Sequence, residues 1–95
     1  MAKGSILQDD MSRCWVCGSM PTVWHHIYFG GKRKISDENG FIVGLCPYHH
    51  NMSNEGVHFN RELDLEIKRA CERKWLEITG KEISDFIKLV GKNYL

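Results

Sequence analysis

Read for the period of its apolar positions, the chain changes character twice. From Thr22 to Phe29 the residues are Thr-Val-Trp-His-His-Ile-Tyr-Phe, dense in β-branched and aromatic side chains and followed by Gly30-Gly31, which predicts a strand entering a turn. Phe41-Ile42-Val43-Gly44-Leu45 is a short apolar run suited to the returning strand of a hairpin. The stretch between them, Gly30 to Gly40, reads as a glycine-bracketed loop, basic first and acidic after. Pro47 suits the first position of a short helix capped by Cys46 and carrying Tyr48, His49, His50 and Asn54.

Beyond residue 60 the period becomes helical. Asn60 is the expected N-cap of a long amphipathic helix from about Arg61 to Thr79, closed by Gly80. Leu63, Ile67, Ala70, Cys71, Trp75 and Ile78 form its apolar stripe, with Arg69 and Arg73 on another face and Lys68 and Lys74 near the edges. A last helix, roughly Ile83 to Val90, offers Ile83, Phe86, Ile87 and Val90 to the core before Gly91. Met1 to Ser12 shows no period and reads as a loosely held lead-in. The expectation is one α+β domain over residues 1–95, with no repeat or linker.

Composition adds less than pattern. The 95 residues are 42% hydrophobic and 26% charged with two prolines, which excludes wholesale disorder. A chain this short buries a thin core, so a structural metal would contribute much of its stability. The formal charge of +1 does not mark a strongly basic nucleic-acid binder. Positive charge is local, at Lys32-Arg33-Lys34, which reads either as a solvated loop or as a contact for phosphates. No apolar run approaches the roughly 18 residues of a spanning helix, and Met1 to Asp10 lacks a secretory core. The expected setting is cytoplasmic, without membrane contact.

The chemistry is concentrated between Cys14 and His58, which hold all five histidines and three of the four cysteines. Cys14/Cys17 and Cys46/His49 each have the two-residue gap that lets one tight turn supply two ligands to a tetrahedral zinc. Gly18 follows the second cysteine, where positive φ folds the turn around the metal. Cys71 stands apart, in the apolar stripe, as a small core residue. Four histidines remain: His25, His26, His50 and His58. Neighbours on a strand point to opposite faces, so one of His25 and His26 can face a metal while the other faces substrate.

Cys-x-x-Cys, then His25-His26-Ile27, then Leu45-Cys46-x-x-His49-His50 resembles the HNH endonucleases, above all the small phage-type members with a zinc-stapled core. The resemblance spans about residues 12 to 60. It implies a ββα-metal fold, a hairpin and one helix around a metal, to which this chain adds the long helix and the short terminal one. It also implies roles. His26, before aliphatic Ile27, matches the general base, and His25 matches a ligand of a catalytic divalent cation such as Mg²⁺ or Mn²⁺. Cys46, His49 and His50 match the closing Cys-x-x-Cys-His motif, with His49 replacing the second cysteine on the structural Zn²⁺ and His50 as the helix-borne ligand of the catalytic ion. Asn54 or His58 would complete that site. The family's middle asparagine has Asn39 as its candidate, although the spacing from Asn39 to Cys46 is longer than usual. The implied activity is hydrolysis of DNA phosphodiesters. The competing reading is a zinc-stabilised nucleic-acid-binding module without catalysis, and a third is a metal-dependent hydrolase of another substrate.

Overall fold

A computed structural model of the chain describes residues 5–52 and 60–95. Its sheet has two antiparallel strands, β1 (Val23–His26) and β2 (Ile42–Leu45), in the register Val23 to Leu45, Trp24 to Gly44, His25 to Val43 and His26 to Ile42. Among the described residues three α-helices accompany it: α1 (Arg33–Asn39), α2 (Arg61–Thr79) and α3 (Ile83–Val90). A 3₁₀ turn over Gly30–Lys32 leads into α1, and a π-helical turn over Tyr48–Met52 follows β2.

The connection expected as a loop from Gly30 to Gly40 is therefore a turn and a helix, and β1 is shorter than the Thr22–Phe29 run. Arg33–Asn39 is polar apart from Ile35, so no amphipathic period announces α1. It is held by tertiary bonds instead. The wholly buried Ser36 hydroxyl donates to Tyr28 O at 2.6 Å and accepts from Tyr28 N–H at 3.1 Å. Ser36 O accepts from Phe41 N–H at 2.8 Å, and Gly40, at φ 73°, caps the helix onto the same carbonyl. Both backbone groups of Tyr28 are thus bonded to α1 rather than to β2.

The N-terminal segment is also more firmly held than its composition suggested. Ile6 N–H donates to Gly40 O at 3.0 Å, Gly44 N–H donates to Gln8 Oε1 at 2.6 Å, and Ile6 and Leu7 pack on the core. Gln8 and the backbone of Met11 and Arg13 thus lie against Gly44 of β2. Gly44 permits this, since a Cβ there would lie 2.6 Å from Met11 O.

The core lies between the sheet end and the two C-terminal helices. Tyr28 is near its centre, edge-on to Phe41 and Phe86, with its hydroxyl donating to Lys68 O at 2.8 Å. Leu63, Ile67, Cys71 and Trp75 of α2 and Phe86 and Val90 of α3 close it. As read from sequence, Asn60 caps α2 by accepting from Leu63 N–H at 3.1 Å, and Gly80 ends it in the left-handed region. Three apolar positions depart from the expected stripe: Ile78, Ile83 and Ile87 are exposed. Glu72 takes an unexpected place in the core, with no accessible surface, and accepts from Tyr94 N–H at 2.8 Å. Among the described residues no helix is long and apolar enough to cross a membrane.

Candidate metal centre and adjacent histidines

Cys14 and Cys17 flank a tight turn in which Gly18 N–H donates to Cys14 O and Cys14 N–H to Ser19 O. Gly18 has φ 77°, the conformation expected of it. Trp15 N–H donates to Gly44 O at 2.8 Å, which fixes this knuckle against β2. After β2, Cys46 O accepts from both His49 and His50 N–H, folding His49 back over Cys46. Two local turns, brought together by the sheet, thus face each other.

The donor atoms of Cys14, Cys17, Cys46 and His49 all lie within 4.8 Å of one another. Cys17 Sγ is 3.7 Å from Cys46 Sγ, and His49 Nδ1 is 3.7 Å from Cys14 Sγ and 3.3 Å from Cys46 Sγ. A tetrahedral zinc with bonds of about 2.3 Å to sulfur and about 2.0 Å to nitrogen has S–S edges of about 3.8 Å and S–N edges of about 3.5 Å. The four residues fit such an ion. No disulfide competes, for all four cysteines are thiols.

The thiols are tuned unequally. The Ser19 hydroxyl and backbone N–H, next to Cys17, pull its thiol down to about 6, while burial pushes Cys46 up. Ser19 Oγ is 3.2 Å from Cys17 Sγ, and it is the donor once the thiolate forms. A bound cation would overcome the burial cost at Cys46 by taking its thiolate as a ligand.

Outside this group the two strand histidines have different neighbours, Phe29 and His50 for His25 and Asp37 for His26. His25 is 4% exposed and His26 is half-buried. The His25 ring meets His50 edge-on at 5.4 Å between centroids, so a residue of β1 and one of the turn after β2 are neighbours. His25 also touches Phe29, at 5.8 Å, and Lys68 Nζ of α2 lies 4.5 Å over the same phenyl ring while bonded to Asp64 at 2.8 Å. Asn54 and His58 lie outside the described residues.

Two further assignments change setting. Lys32, Arg33 and Lys34 are not at a loop tip but at the start of α1, with Arg33 and Lys34 exposed. Asn39 ends that helix, its amide donating to Ile35 O at 2.8 Å. The sequence reading missed Asp37, whose Oδ1 is 3.8 Å from His26 Nε2. Reading residues 30–40 as a loop hid it, and no local signal ties position 37 to position 26. It also missed Ser19, which its position two residues after Cys17 could have flagged. Set against family models, curated proteins and solved structures, the chain matches none of them.

Proposed function

We propose that this protein is a metal-dependent endonuclease of the HNH, ββα-metal kind that hydrolyses DNA phosphodiester bonds, with a structural zinc on Cys14, Cys17, Cys46 and His49. The observation that carries the reading is the meeting of His25 and His50, with rings 5.4 Å apart, where His50 directly follows the ligand candidate His49 and half-buried His26 directly follows His25 in the strand. Two imidazoles bound to one ion through bonds of about 2.1 Å have ring centres roughly 4.6 to 5.4 Å apart, which the pair fits. His25 and His50 would hold a divalent cation such as Mg²⁺ or Mn²⁺. When bound, that cation supplies positive charge to the scissile phosphate and the departing 3′ oxygen.

A phosphodiester repels nucleophiles through its anionic oxygens, so water must lose its proton as it attacks. His26 takes that proton as general base. Arg33 and Lys34, exposed at the start of α1, and Lys32 beside them supply phosphate contacts that hold the duplex without reading its sequence.

The test is nicking of supercoiled plasmid with Mg²⁺ or Mn²⁺, with and without chelator. His26→Ala is expected to keep its zinc, fold and DNA affinity and lose about two to four orders of magnitude in rate. His25→Ala and His50→Ala should lose activity that added Mn²⁺ partly restores, whereas Mn²⁺ should restore none to His26→Ala. Wild-type cleavage by His26→Ala would refute the assignment. Intact plasmid with retained DNA binding would favour the non-catalytic zinc module.

A further inference from the structure

The backbone that carries Asp37 is held in place by the fold. β1 ends at His26, paired with Ile42, and Ile27 N–H donates to Phe41 O at 2.8 Å. Two residues on, Ser36 clamps α1 to Tyr28 through both backbone groups of that residue, and through its own carbonyl to Phe41. Ser36 is wholly buried, so this clamp is a fixed point. Asp37 follows it directly, and its Oδ1 stands 3.8 Å from His26 Nε2. That separation exceeds a direct hydrogen bond, as is common for catalytic groups before substrate arrives.

A neutral imidazole carries one proton on either nitrogen, and an acceptor beside one nitrogen favours the proton there. An acceptor at Nε2 leaves the lone pair of Nδ1 for the attacking water. We propose that Asp37 is a positioning residue for His26, setting its ring angle and the Nε2–H tautomer. The inference rests on the reading of His26 as general base. The alternative is an exposed ion pair with no kinetic consequence, the usual fate of such contacts.

The experiment compares Asp37→Ala, Asp37→Glu, His26→Ala and the double variant Asp37→Ala/His26→Ala, zinc-loaded, with plasmid and saturating Mn²⁺. Asp37→Ala should lower kcat by about 10- to 100-fold with KM, zinc content and Tm unchanged, and Asp37→Glu, which keeps a carboxylate that can only accept, should cut at least about threefold faster than Asp37→Ala. In the His26→Ala background Asp37→Ala should cost nothing further, because its effect passes through the missing ring. The ¹⁵N shifts of His26 should report the Nε2–H form in wild type and Asp37→Glu, and a mixture in Asp37→Ala. An independent loss in the double variant, a glutamate variant as slow as the alanine one, or a tautomer indifferent to Asp37→Ala would overturn the proposal. If the wild-type protein cuts nothing, the nuclease reading falls, and the ¹⁵N comparison by itself decides whether Asp37 sets the ring.

Discussion

At the scale of single residues, burial decides which titratable groups matter for folding. Glu72 has no accessible surface, and only one of its oxygens is bonded among the described residues, to Tyr94 N–H. Burial pushes its carboxyl up, above the value of an exposed glutamate. The folded protein therefore holds this proton to higher pH than the unfolded chain, so Glu72 favours folding less as pH rises from the unfolded value through the folded one. Glu72→Gln keeps an acceptor for Tyr94 and removes the titration. Its Tm should gain on wild type as pH is raised from 5 to 8, with each kcal/mol of difference worth on the order of 4 to 8 °C. Because release of a zinc from the cysteine–histidine group would affect both proteins equally, the difference at each pH isolates Glu72. A constant difference would show that the carboxyl does not change protonation on folding.

At the scale of elements, the knuckle, β2 and α1 depend on contacts from outside themselves. Gly44 lies where the segment Met11–Arg13 crosses the sheet, and a Cβ would meet Met11 O at 2.6 Å and Arg13 O at 3.3 Å. Both are backbone atoms, so the segment leading into Cys14 must move. Gly44→Ala should destabilise by roughly 1–3 kcal/mol, as overpacking usually does, and weaken zinc retention. Gly31→Ala, where nothing lies within 4 Å, is the control expected to be near neutral. A Gly44→Ala protein with unchanged Tm and zinc content would argue against this crossing. The start of α1 carries the other test. Lys32, Arg33 and Lys34 gain nothing there from the helix dipole, which disfavours cations at an N-terminus. Replacing all three by Ala should weaken binding to every duplex alike and flatten the slope of log affinity against log salt by roughly 2 to 3. An unchanged slope would make them ordinary solvated charges.

At the scale of the whole molecule, the group of three cysteines and one histidine joins the N-terminal segment to the turn after β2. Cys14 and Cys46 are themselves part of the buried core. A zinc held there would also contribute folding free energy, and strong chelation should then abolish the cooperative melt, as should Cys17→Ser. Circular dichroism with zinc assay on the same samples checks this. A folded, zinc-free Cys17→Ser protein would remove the metal from the account of stability.

Much of this was legible in the residues, because some of it is local. A capped amphipathic helix is written in consecutive positions, and α2 has its expected bounds, Arg61–Thr79, with Asn60 and Gly80 at its ends. Ligand pairs two residues apart are equally local, and Cys14, Cys17, Cys46 and His49 do converge. What depended on distant parts of the chain was not legible. α1 forms although its own sequence is polar, since Ser36 finds Tyr28 and Phe41. Ile78 near the end of α2 and Ile83 and Ile87 of the short α3 have core-like spacing, yet they lie exposed. His25 meets His50, and Asp37 meets His26, only through the register of the two strands and the packing of α1. Spacing along the chain specifies which groups one turn can present; the sheet and the buried clamp at Ser36 determine which turns meet, because those contacts join residues that no local period relates.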